Sequence, residues 1–152
     1  MGKLATKKAT AQLQKLFDFL GKYGGVIQTN EPDTWWNLDL EVETDNVSRK
    51  FITIGVFNLV NSDCIFDPQF EVILSMDENK ILECEIERCT EQTIFGTTFV
   101  DSSNNLHGFG NIEKDPYGLT ERFSQFMNNM VEIGPYLKEP KEVKKYTKTL
   151  AE

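Results

Sequence analysis

Along residues 36–100 apolar and polar positions mostly alternate with a period of two, whereas both ends of the chain carry apolar residues at helical spacing. The clearest alternation lies in residues 70–87. There Phe70, Val72, Leu74 and Met76 alternate with Glu71, Ile73 and Ser75, and Leu82, Cys84 and Ile86 alternate with Glu83, Glu85 and Glu87. A period of two puts each set on one side of a strand, so the stretch predicts a hairpin of two half-buried strands. Opposed residues share a face, which sets Leu74 across from Leu82 and Val72 across from Cys84. That register needs a three-residue loop, Asp77-Glu78-Asn79, with Asn79 at positive φ. It also opposes Glu71 to Glu85, with Glu83 and Glu87 beside them, a like-charge cost of roughly 0.2–1 kcal/mol.

Elsewhere the pattern predicts strands over 36–43, 51–57 and 93–100. In the first, Trp36, Leu38, Leu40 and Val42 alternate with Asn37, Asp39, Glu41 and Glu43. In the second, Phe51 and Phe57 lie opposite Ile52, Ile54 and Val56, as in a central strand with both faces covered. Residues 58–68 read as an irregular connection and 106–114 as a glycine-rich stretch of no fixed type. Leu13, Leu16, Phe17 and Leu20 fall at i, i+3, i+4 and i+7 and predict a helix over 8–21, stopped at Gly21 or at Gly24-Gly25. Asp115 as N-cap and Pro116 at the first helical position open a second helix over 116–133, closed by Gly134-Pro135. The expected fold class is therefore α+β: an antiparallel β-meander of four or five strands packed by an N-terminal and a C-terminal helix.

At 152 residues the chain fits a single domain, with a body of about 9–137 and short lysine-rich ends, 1–8 and 138–152, expected to be mobile. The net charge is −8, yet residues 1–15 hold four Lys and no acid. The body is thus more acidic than the total, which disfavours phosphate contact and so nucleic-acid binding. The longest apolar runs are too short to span a bilayer and the first residues lack the apolar stretch of a signal peptide, so a cytoplasmic protein without a membrane partner is expected. Cys64, Cys84 and Cys89 have no Cys-x-x-Cys spacing and read as reduced core thiols.

Candidate chemistry is sparse. His107 is the one histidine, set in a Gly/Asn-rich stretch with no nucleophile signature near it. Gly24-Gly25 and Gly108-Phe109-Gly110 lack the spacing and the Lys-Ser/Thr of phosphate-binding loops. No catalytic residue and no cofactor is expected. Carboxylates are the only dense functional groups: Asp63 and Asp67 could join Glu83 or Glu85 around a divalent cation, as in a small carboxylate-metal-dependent hydrolase, although both aspartates also fit ordinary turns. Trp35, if exposed beside Asp39, Glu41 and Glu43, would give an aromatic anchor within an acidic surface, the pattern of a protein-binding face. Glu71, Glu83, Glu85 and Glu87 extend that face, and its expected partner is a protein with a basic surface.

The run Trp36 to Glu43, then Ile52 to Phe57, then Asn61-Ser-Asp-Cys-Ile-Phe-Asp-Pro-Gln-Phe-Glu-Val-Ile73 resembles a family of small bacterial, phage and plasmid proteins known only as a domain of unknown function. The likeness spans roughly residues 15 to 100, with Asn61-Ser62-Asp63 where the family has Asn-Gly-Asp. It implies a mobile-element setting and no activity.

Overall fold

A computed structural model describes residues 2–29, 35–46, 48–60, 63–93, 95–138 and 141–147. Expectations that fall on Asn61, Ser62 and Ile94, or on 139–140 and 148–152, lie outside these residues. The elements in chain order are β1 (Lys3–Leu4), α1 (Lys7–Leu20), β2 (Gly24–Thr29), β3 (Asn37–Asp45), β4 (Arg49–Val60), β5 (Asp63–Asp77), β6 (Lys80–Thr93), β7 (Gly96–Val100), β8 (Asn105–Gly108), β9 (Asn111–Lys114), α2 (Leu119–Met127) with a π-helical continuation Asn128–Ile133, and β10 (Lys141–Lys145). All strands join one antiparallel sheet in the order β10-β2-β3-β4-β5-β6-β7-β8-β9, and β1 adds to β6.

This overturns the expected meander of four or five strands: among the described residues the sheet has ten, with two helices. The additional strands come from segments whose side chains hide them. Residues 24–29 begin with two glycines, 105–114 mix Gly and Asn, and Lys141–Lys145 is mostly lysine. Their strand state comes from pairing with neighbours, not from their own apolar periodicity. Gly24-Gly25 does not end the first helix; Gly21 does, at φ 94°. Gly24 instead starts β2 at φ 85°, where a Cβ would stand 2.0 Å from the Leu40 carbonyl oxygen, so only glycine lets β2 close on β3. The connection expected over 58–68 is strand as well, with Leu59 paired to Cys64 and Asn58 to Ile65. Of the lysine-rich ends, Lys3–Leu4 and Lys141–Lys145 are both strands of the sheet.

One sheet face is the core. Ile27, Leu38, Leu40, Ile52, Ile54, Phe70, Val72, Leu74, Cys84 and Ile86 line it, covered by Leu13, Leu16 and Leu20 of α1 and Leu119, Phe123 and Met127 of α2. Phe70 sits between Phe123 and Phe126, with ring centroids 5.2 and 5.1 Å away. The Thr6 hydroxyl caps α1 by accepting the Ala9 N–H at 3.1 Å. The second helix starts later than expected. Gly118 is its N-cap, and Asp115 lies before it, accepting the Gly118 N–H at 2.7 Å. The Asp115-Pro116 pair is therefore a lead-in turn.

The hairpin register also differs from expectation. Leu74 opposes Cys84, Val72 opposes Ile86 and Ser75 opposes Glu83, while Asp77 pairs with Lys80. The loop is two residues, Glu78-Asn79, with Glu78 at φ 57°. Leu82 is an extra residue on β6, wedged into the ladder between the Ser75 and Met76 pairs; it points outward and is 62% exposed. A second irregularity inserts Glu87, so Glu71 faces Arg88, not Glu85, and Glu85 pairs with Ile73. The like-charge opposition of Glu71 and Glu85 does not exist. Such bulges have a geometric cause: β5 drawn straight would run about 50 Å, longer than the roughly 40 Å width of a compact chain of this size. Extra residues bend and twist the long strands around the helices.

The corrected register separates two leucines that the alternation treats alike. Leu74→Ala should lower unfolding free energy by about 2–5 kcal/mol, while Leu82→Ala should change it by less than about 0.5 kcal/mol. Urea titration of both variants checks this, and equal losses would contradict the register.

Candidate protein-binding face

The sheet's other face carries no helix among the described residues, and its side chains run in rows across the strands. One row joins Glu41, Thr53, Glu71 and Arg88; the next joins Asp39, Gly55, Gln69, Thr90, Phe99, His107 and Ile112; a third joins Asn37, Phe57 and Phe66. Phe51 and Ile73 oppose each other toward the opposite end. Aromatic groups thus alternate with carboxylates. Phe57 and Phe66 meet at 5.3 Å, the Arg88 guanidinium lies 4.3 Å from the Phe99 ring centroid, and Phe99 stacks on His107 at 4.4 Å with 7° between planes.

The eight residues expected to bind are not used alike. Trp35 is half-buried and packs toward the core, its ring edge-on to Tyr136 at 6.2 Å, so it is no exposed anchor. The Tyr136 hydroxyl donates to the Trp36 carbonyl, holding the same corner. Asp39 is 6% exposed and accepts a hydrogen bond from the Tyr146 hydroxyl, just past β10. Burial pushes its carboxyl up to about 6, helped by the nearby charges of Glu41 and Glu43 and opposed by the Tyr146 bond. Glu41 is raised too, by desolvation and by Glu43. Glu71 forms a 3.7 Å ion pair with Arg88, partly solvated and worth about 0–1 kcal/mol. Glu85 accepts the Gly2 N–H at 2.9 Å. Glu41, Glu43 and Glu83 remain exposed, Glu87 is half-exposed, and none of these four has an ion-pair partner among the described residues.

The remaining candidates hold structure together. His107 Nε2 lies 2.6 Å from Asp101 Oδ2, and the other oxygen of Asp101 accepts the Ser103 and Asn105 N–H groups. The pair pins the β7–β8 turn, and these bonds hold the Asp101 carboxyl below its usual range. Cys84 and Cys89 are buried and pushed up to about 12, inert as thiolates. Cys64 departs from the core-thiol expectation, since it is exposed. Asp63 starts β5, while Asp67 sits in the bulge between Phe66 and Gln69 beside Glu91. Six residues along β6 separate Glu91 from Glu85, roughly 20 Å of strand. Asp63 and Asp67 therefore do not converge with Glu83 or Glu85, and among the described residues no three His, Cys, Asp or Glu side chains form a metal-holding group.

One polar network had no signal in the sequence. Arg122 of α2 donates twice to Asp115, at 2.9 and 2.7 Å, and once to Glu91 at 3.0 Å. The Asp115 side chain is fully buried, and the Arg122 bonds hold its carboxyl below the usual range. The network ties α2 to β6. No helix of the described residues is long and apolar enough to cross a membrane. No family model, no curated protein and no solved structure matches the chain.

Two expectations follow from these groups. Because the folded Asp39 carboxyl is raised from 3.8 to about 6, the native state holds that proton more tightly, and the Asp39 contribution to stability falls as pH rises between roughly 4 and 6. Asp39→Asn should remove this fall, which denaturation midpoints across that range would show; an unchanged slope would contradict it. Asp115 has the opposite sign: its depressed carboxyl stabilises the fold above the usual carboxylate range and stops doing so in stronger acid. Arg122→Met leaves Asp115 buried without its cation and should cost about 3–5 kcal/mol, readable by calorimetry.

Proposed function

We propose that this chain is a non-catalytic protein-binding module whose helix-free sheet face engages a basic surface of another protein. The observation that carries this reading is the composition of that face. Half-buried aromatic groups, Phe57, Phe66 and Phe99 on one side and Phe51 on the other, flank the row that holds Glu41 and Glu71. Aromatic contact area is enriched at protein interfaces, and here it lies beside charge. The carboxylates without an ion-pair partner among the described residues supply long-range attraction to Lys and Arg, and no helix of those residues covers them. The aromatic component is therefore Phe57, Phe66 and Phe99 in place of Trp35. The burial-raised carboxyls of Asp39 and Glu41 fit the same reading, because a cationic group brought against them would relieve the mutual repulsion with Glu43.

Glu41→Lys together with Glu43→Lys should leave the melting temperature within a few degrees, since both side chains are exposed. The pair should abolish salt-sensitive retention of a host protein on the immobilised chain, whereas Glu121→Lys on the exposed side of α2 should not. Retention that ignores salt, or is lost equally in both variants, would overturn the proposal.

A further inference from the structure

A sheet edge is a row of unpaired backbone donors and acceptors, and native proteins blunt such edges. The chain does so at its three edges. At one end β10 presents Lys141, Lys144 and Lys145. Along β6, β1 covers part of the edge, with the Ala5 N–H donating to the Cys84 carbonyl at 2.9 Å. Further along, the Gln14 amide of α1 takes the place of a strand, accepting the Ile81 N–H at 2.7 Å and donating to the Asn79 carbonyl at 3.1 Å. At the remaining edge, β9, the four-residue length and Lys114 are the blunting features, and no further strand of the described residues pairs with it. All four of its residues are exposed, and Ile112 is 68% exposed at its centre.

The hydrogen-bond phase of β9 is known. Gly108 pairs with Asn111 across the two-residue turn, and the Asp115 N–H donates to the Asn104 carbonyl at 2.8 Å. Residues 111, 113 and 115 therefore bond inward to β8, and Ile112 and Lys114 turn their N–H and C=O groups outward. In a continued sheet, a twofold axis must oppose residues of the same face, so few registers are open. Centring it on Glu113 opposes Glu113 to itself, and centring it on Lys114 opposes Lys114 to itself. Centring it on Ile112 opposes Ile112 to Ile112, sets the Asn111 amide against the Glu113 carboxylate, and places Lys114 across from Gly110. All three registers join outward-facing groups, but only this one puts an apolar pair on the axis and complementary polar pairs beside it.

We propose that β9 pairs antiparallel with β9 of a second copy about a twofold axis through Ile112, giving a continuous sheet across the dimer. Phe109, 70% exposed in the β8–β9 turn, then lies alongside the segment holding Tyr117, 61% exposed, of the other copy. The row Thr90, Phe99, His107 and Ile112 continues across the axis, so the two helix-free faces join into one. A single strand pair buries less than a standard interface, which makes the dimer a weak one. The inference does not depend on the acidic face having a partner, and its test needs none.

Sedimentation equilibrium of the full chain over a wide concentration range should show a monomer–dimer equilibrium. Ile112→Pro removes only an outward N–H and keeps the β8 ladder, and Ile112→Lys places like charges on the axis. Each should raise the dissociation constant at least about tenfold, with thermal melts measured at dilution unchanged, while Ile133→Lys, an equally exposed apolar site elsewhere, should leave it unaltered. If Ile112→Pro perturbs the melt, Ile112→Lys alone decides. A monomer throughout the range, or a dimer indifferent to Ile112→Lys, would overturn the proposal.

Discussion

Two extra residues in β6, Leu82 and Glu87, govern the surface of this protein. Each interrupts the ladder with β5 and so resets which side chains face the helices. Were the strand regular through Leu82, its alternation from Cys84 back to the turn would bury the leucine and expose Ile81, which is 8% exposed. Were it regular through Glu87, Arg88 would leave the outer face and Cys89 the core. The ion pair with Glu71, the contact of Arg88 with Phe99 and the burial of Cys89 beneath α2 all depend on that second insertion.

The division of labour between the faces follows from the same curvature. Both helices cover one face, where the apolar residues of β2 to β7 form a continuous core with Tyr136 at its corner. The other face is then built from what the strands place there by alternation: Asp39, Glu41 and Glu43 on β3, Phe57 on β4, Glu71 on β5, Phe99 on β7. A face with half-buried aromatic rings and carboxylates is poor as a core and suited to contact with a charged partner. That is the physical content of the binding proposal.

Buried polar groups mark where distant segments are joined. Tyr146 reaches Asp39 and Tyr136 reaches the Trp36 carbonyl, fastening the C-terminal part of the chain to β3. Arg122 fastens α2 to β6 through Asp115 and Glu91. Each pairs residues far apart in sequence, whose partner becomes a neighbour only once the sheet has formed.

The alternation over residues 36–43, 51–57 and 70–76 and the stripe Leu13, Leu16, Phe17 and Leu20 were legible without a structure, because a strand or helix with one buried face must show it in its own spacing. Gly21 as one of two candidate helix stops, the burial of Cys84 and Cys89, and the acidity of Glu41 and Glu43 beside the strand face were legible for the same local reason. Tertiary structure decided the rest. Strands β2, β8, β9 and β10 are held by pairing, which leaves little trace in side chains, and the bulges at Leu82 and Glu87 answer to the bend that long strands need around two helices. Those bulges replaced the opposition of Glu71 and Glu85 with a pairing of opposite charges. Trp35 turned inward because a ring from another part of the chain, Tyr136, was there to meet it, and Phe57, Phe66 and Phe99 became a surface because no helix of the described residues covers them.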